Sequence, residues 1–225
     1  MKLVQCVRLA FVGTHSAGKT TAAHHALSWL KTHGYPRAEM LPEVARLCSR
    51  PIGAHSDFET EVMLIGEQMR LEERLASQAD VLVCDRSMHD HEVYARWLMN
   101  EGHLLPAEWQ FVNLVSTAWA RVRPYHALLR IVPTEFVPDL ARGEDPKWQA
   151  DVDGMWSLRW GQLMRVRGGA GMFLLRPRDR AELLPMVEAV VGRVVQDAGV
   201  AIDTRSMRIA SIKYRLRRMF HGKQG

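Results

Sequence analysis

Cysteine is scarce in this 225-residue chain: Cys6, Cys48 and Cys84 stand far apart, odd in number and without metal-type spacing. A disulfide framework is therefore not expected, and reduced thiols in a cytoplasmic setting are. Long apolar runs are missing too. No stretch approaches the roughly 18 residues needed to span a bilayer. The opening Met1-Lys2-Leu3-Val4-Gln5-Cys6-Val7-Arg8 has neither an apolar h-region nor a small-residue cleavage site, so no secretory signal is expected. No internal repeat and no low-complexity tract interrupts the chain. Acid is absent from the end, where every Asp and Glu lies at or before Asp203. With +5 overall and +7 beyond Asp203, residues 1–203 carry −2. The basic character belongs to the tail, which hints at a polyanionic partner.

What is present is the balance of an ordinary globular protein, 47% apolar and 24% charged, long enough for one α/β domain with a buried core. Short apolar runs followed by helical periodicity recur, the pattern of a parallel α/β sheet. Strands are expected at Val7–Val12, Ala38–Leu41, Val81–Cys84, Leu128–Val132 and Met172–Leu175. Helices are expected near 20–31, 57–77, 91–100, 107–121, 152–165 and 180–197. In the second of these, Asp57 is the expected cap and Phe58, Val62, Ile65, Met69 and Leu75 recur at helical spacing. Residues 133–150 are rich in Pro, Asp, Glu and Gly and read as a mobile loop. One domain, 1–203, and a tail, 204–225, follow.

Gly13-Thr14-His15-Ser16-Ala17-Gly18-Lys19-Thr20 fits G-x-x-x-x-G-K-[ST] at every fixed position. It also lies between an apolar strand and a helix, as that motif requires. Glycines let the backbone turn its N–H groups, including those of Ser16, Ala17, Gly18 and the following Thr21, toward phosphate oxygens. Lys19 reaches the β/γ oxygens, and Thr20 offers a hydroxyl to Mg²⁺. The helix that begins there aims its positive end at the same anion. ATP and Mg²⁺ are the expected cofactors.

Phosphoryl transfer also needs an acid that holds the metal and a group that orients the acceptor hydroxyl. Asp85 ends the strand 81–84, at the edge where open α/β sheets gather ligands, and can hold Mg²⁺ or cap a turn. Asp90 fits a helix cap equally well. Glu43, just past a strand, could face the same crevice or be a first-turn glutamate favoured by the helix dipole. His89 and His91 flank Asp90, but side chains two apart on a helix do not face each other, and no zinc site is expected. Trp97, Trp109, Trp119, Trp156 and Trp160 fall in expected helices as core or cleft lining.

The loop Gly13–Thr20, then Pro42-Glu43-Val44-Ala45-Arg46, then Asp85-Arg86-Ser87 with Tyr94 behind it, resembles the deoxynucleoside kinase and thymidylate kinase group. Related nucleotide kinase-like ATPase domains of phages look similar. The resemblance spans roughly residues 7–197 and implies a three-layer P-loop NTPase fold, a parallel sheet of about five strands flanked by helices. It implies Glu43 as base for the acceptor hydroxyl, although one residue of that family's motif is missing here. It implies catalytic roles for Asp85 and Arg86, and a lid over 133–150 in which Arg142 closes on the transferred phosphoryl group.

The expected function is transfer of the ATP γ-phosphate to a hydroxyl of a nucleoside or nucleotide. An alternative acceptor is a hydroxymethylpyrimidine within DNA, gripped by Arg208, Lys213, Arg215, Arg217 and Arg218 on an amphipathic C-terminal helix. A nucleotide-binding regulator is the third reading.

Overall fold

The computed structural model describes residues 6–134 and 145–203. Val7–Val12 (β1) is buried at every position, as a central strand covered on both faces must be. It pairs in parallel with Val81–Asp85 (β3) on one side and Ala127–Ile131 (β4) on the other. Ala38–Leu41 (β2) and Met172–Leu175 (β5) complete a five-stranded parallel sheet in the order β2-β3-β1-β4-β5. Among the described residues the α-helices are Lys19–Thr32 (α1), Phe58–Ala76 (α2), Met88–Asn100 (α3), Pro106–Val122 (α4), Pro146–Arg167 (α5) and Arg180–Asp197 (α6). This is the parallel α/β sheet that the strand and helix pattern implied, and the P-loop fold that the resemblance implied.

Strand alternation divides the core in two. Leu9, Phe11, Val81, Val83, Leu129 and Ile131 face α1 and α6. Ala10, Val12, Leu82, Cys84 and Leu128 face the layer of α2 to α5, where Trp156 is fully buried. Asp57 does cap α2, its carboxylate accepting from Thr60 N at 2.8 Å.

Two expectations need correction. Residues 146–150 are not loop: α5 begins at Pro146, six residues earlier than periodicity placed it, because Asp145 caps it (Lys147 N to Oδ1, 2.8 Å) and proline occupies its first position. Val62 does not join the buried side of α2. It is 37% exposed, while Glu61, Gln68 and Glu72 are buried in its place. Residues 135–144 of the expected lid, Arg142 included, and the basic tail 204–225 lie outside the described residues. No described helix is long and apolar enough to cross a membrane.

Candidate phosphoryl-transfer site

The carboxyl ends of β1, β2 and β3 come together at one edge of the sheet, and each delivers one part of the expected site. β1 runs into the glycine loop. Gly13 has φ 132°, and a Cβ there would sit 2.8 Å from the carbonyl oxygen of Ile131 at the end of β4, so only glycine fits. Ser16 is left-handed at φ 56° and Gly18 at φ 87°, a sequence of turns that aims successive N–H groups inward. The Ser16 hydroxyl oxygen is buried and finds no hydrogen bond among the described residues.

Lys19 opens α1 and folds its chain back, Nζ donating to the carbonyl oxygen of Thr14 at 2.5 Å. The ammonium is thus held within the cradle. Burial, and then the nearby Arg86 guanidinium, lower its pKa to about 7 against the pull of Glu43, Asp90 and Asp85.

Thr20 Oγ1 donates to Asp85 Oδ2 at 2.6 Å. Asp85 is 2% exposed, and its other oxygen, Oδ1, is buried without a hydrogen-bond partner among the described residues. An orphaned carboxylate oxygen beside a motif hydroxyl suits a hard divalent cation. Among the described residues no cluster of three or more His, Cys, Asp or Glu could hold a metal by itself. Such an ion would therefore also need phosphate and water oxygens, the habit of Mg²⁺.

Glu43 follows β2 and precedes a 3-10 turn over Val44–Leu47, to which its side chain gives no capping bond. The carboxylate instead turns into the crevice, Oε1 pairing with Arg86 Nε and Oε2 with Arg46 Nε at 3.0 Å. Arg86 follows β3 with φ 89°, a conformation L side chains rarely adopt. Its N–H is tied to the Phe11 carbonyl at 3.1 Å. The remaining guanidinium nitrogens reach Asp90 Oδ1 (3.4 Å) and Tyr94 Oη (3.3 Å), with Cζ 4.7 Å over the Tyr94 ring. Burial alone would depress the Arg86 pKa, but Glu43, Tyr94 and Asp90 raise it well above its ordinary value. Asp90 serves two ends at once. It accepts from Ser87 N (2.7 Å) and Ser87 Oγ (3.0 Å) in the capping box of α3, and it braces Arg86.

Beyond Glu43 and Arg86 opens a cleft of ≈ 450 Å³, mouth included, with Glu61, Tyr94 and Trp148 among its walls. Sequence reasoning missed Glu61 and Trp148. Trp148 lies in the first turn of α5, and the Asp-Pro pair before it was the signal of a helix start there. That turn is fastened to the glycine loop. Thr14 Oγ1 donates to the carbonyl of Gln149 (3.1 Å), Gln149 Nε2 donates to the carbonyl of His15 (2.9 Å), and Trp148 stacks on the His15 ring at 4.0 Å.

Lys19, Thr20, Glu43, Asp85 and Arg86 thus converge, with Gly13 to Gly18 forming the cradle, whereas Thr21 is exposed on α1. His89 and His91 are buried for other reasons. Burial, then Arg159 and Arg167, hold the His89 pKa down at about 3, and His91 Nε2 pairs with Gln68 Oε1 at 2.7 Å.

The model of the AAA domain family matches residues 8–161, more than half of the chain. No curated protein matches it. Among solved structures, a NadR protein in complex with NAD and AMP-PNP is 13% identical and has a TM-score of 0.62, covering 88% of this chain and 51% of that one. A NadR protein in complex with NR is 14% identical, also at 0.62, covering 88% and 52%. Deoxyadenosine kinase from M. mycoides, solved with dCMP and dCDP as products, is 11% identical at 0.61, covering 85% of this chain and all of that one. At such identities the likeness is one of fold, and the chain spans about half the length of the NadR chains. Nothing among them supports the DNA-modification reading.

Proposed function

The chain belongs to the AAA domain family, and on that premise we propose that it is an ATP-dependent phosphotransferase acting on a hydroxyl of a nucleoside or nucleotide. One observation carries this reading. The loop that suits a triphosphate follows β1 and a buried carboxylate that suits an acceptor hydroxyl follows β2, and Arg86, at the end of the β3 strand between them, bonds to Glu43 and to the Phe11 carbonyl of β1. A nucleotide switch has no use for Glu43 in that place. The fold shared with deoxyadenosine kinase and the AMP-PNP-bound NadR protein is in keeping with it.

In this reading the loop N–H groups and Lys19 hold the β- and γ-phosphates, Lys19 leaving the Thr14 carbonyl to do so. Thr20 and Asp85 would hold Mg²⁺, which supplies charge neutralisation on the phosphates when bound. Glu43, held in place by Arg86 and Arg46, accepts the proton of the acceptor hydroxyl as its oxygen bonds to the γ-phosphorus and the bond to the ADP oxygen breaks. Arg86, fixed by Asp90 and Tyr94, stands beside the transferring group. Arg142 would add to that charge from the lid.

The test is transfer of labelled γ-phosphate to free nucleosides and nucleotides. Glu43→Gln should lower kcat by about 10²–10⁴-fold and leave ATP affinity within about threefold. Lys19→Ala should remove about 10²–10³-fold of transfer. An unlabelled panel would move the chain to the regulatory ATPases, and full transfer by Glu43→Gln would remove Glu43 from the acceptor-base role.

A further inference from the structure

The cleft beyond Glu43 has a charge pattern that bears on which acceptor it admits. Each nitrogen of the guanidinium on its wall, that of Arg86, already has a partner: Nε with Glu43, one terminal nitrogen with Asp90, the other with Tyr94 Oη. Arg46 is likewise drawn to Glu43. Three carboxylates, Glu43, Glu61 and Asp90, line the same space. Even with His91 counted as a cation beside Arg86, carboxylates on the wall outnumber cations. A phosphate dianion placed here would meet three carboxylates and, among the described residues, only cations already paired with one of them.

The same lining also carries polar groups still waiting for partners. Ser56 Oγ and Trp148 Nε1 are both buried, 4% and 3% exposed as residues, and neither has a hydrogen bond among the described residues. Glu61 is 3% exposed, and its ion-pair contact, His91 Nδ1 at 3.9 Å, is beyond hydrogen-bonding distance. The gap has a chemical reason. Gln68 must give its NH₂ to Glu72 Oε1 at 3.0 Å, so its oxygen faces His91 Nε2 and places the ring hydrogen there. In the neutral ring Nδ1 is then a lone pair facing a carboxylate, and a donor inserted between them would satisfy both. Orphaned buried polar groups of this kind are costly unless a ligand completes them.

We propose that this cleft selects an unphosphorylated acceptor with a nitrogenous ring, Glu61 accepting from an N–H or O–H of the ring while Ser56 Oγ and Trp148 Nε1 hydrogen-bond its lone pairs. Glu61 and Ser56 are then specificity-determining residues, distinct from Glu43, which handles the reacting hydroxyl. The inference rests on the kinase reading for the identity of that hydroxyl, but its content is a binding preference and can be measured without turnover.

The experiment pairs calorimetric binding with labelled transfer, using deoxycytidine, deoxyadenosine and thymidine and the 5′-monophosphate of each, with AMP-PNP and Mg²⁺ present in the binding arm. At least one nucleoside should bind at least about tenfold more tightly than its monophosphate, the scale of discrimination that a missing or unwanted polar partner gives. Glu61→Gln should weaken that nucleoside by about tenfold or more, acting on KM rather than kcat, with AMP-PNP affinity unchanged. Ser56→Ala, a smaller change to the same wall, should do so more mildly and serves if Glu61→Gln fails to fold. Nucleoside binding that depends on Glu61 without any transfer would uphold this inference and sink the kinase reading. Tighter binding of a monophosphate, affinity indifferent to Glu61 and Ser56, or no binding of any compound would overturn it.

Discussion

The two sides of the sheet are built on different principles. On the α1/α6 side the contact is made by small and branched apolar residues, Ala22, Ala23, Ala26 and Leu30 against Val187, Val191 and Val195. On the other side the helices bring charge into the interior. Glu72, with no exposure, accepts from Arg8 (3.3 Å), Gln68 (3.0 Å), Trp119 Nε1 (2.9 Å) and Tyr125 Oη (2.6 Å). Tyr125 Oη in turn accepts from Met88 N at 2.9 Å, at the start of α3. Burying charge costs several kcal/mol unless each group is satisfied. The first side is therefore a platform, and the second spends stability to hold His91, Glu61 and Arg86 in set positions.

That contrast can be broken most directly at its charged centre. Glu72→Ala leaves Arg8 and Gln68 facing a void and should cost about 3–5 kcal/mol, read by chemical denaturation. In the folded fraction it should also raise the acceptor KM, because Gln68 no longer orients His91. Leu30→Ala on the platform should cost about 2–5 kcal/mol, yet leave acceptor KM where it was. Equal effects of the two on KM would dissolve the distinction.

A smaller effect tests the loop that lies between the two sides. A Lys19 pKa of about 7 in the free protein means the side chain is largely neutral above that pH. A bound polyphosphate raises the pKa, so nucleotide binding at pH 8 should take up close to one proton. Affinity should fall as pH rises above 7, by at most about tenfold per unit. Calorimetry in buffers of different ionisation enthalpy reads the uptake directly, and zero uptake would mean that the free loop already holds a charged lysine. The smallest effect belongs to Val62, whose exposure predicts a change within about 0.5 kcal/mol for Val62→Lys. A large loss there would restore the apolar stripe that periodicity drew along α2.

The contrast also explains how far the sequence could be read. Where function is written in consecutive residues, as in Gly13–Thr20, the motif carries its own geometry, and the pairing of Thr20 with Asp85 needs only that two neighbouring strands end together. The platform was legible as well, since its apolar spacing is the signal that periodicity detects. The acceptor cleft was legible only in part. Glu43 showed itself by following a strand, but Glu61 and Gln68 on α2 carry no apolar signal, because burial there is polar. Trp148 fell in a stretch with little apolar content. Hydrophobic patterning marks what a helix hides from water, and it fails where the hidden surface has work for hydrogen bonds.

The fastening of α5 to the glycine loop has a mechanical consequence. Trp148 and Gln149 are adjacent on one helical turn. The first forms part of the cleft wall, and the second is bolted to the carbonyl of His15 and the hydroxyl of Thr14. The wall and the loop therefore behave as a single lever whose fulcrum is the start of a 22-residue helix. Any rearrangement of the Thr14–His15 backbone is transmitted, without an intervening hinge, to the aromatic wall of the cleft.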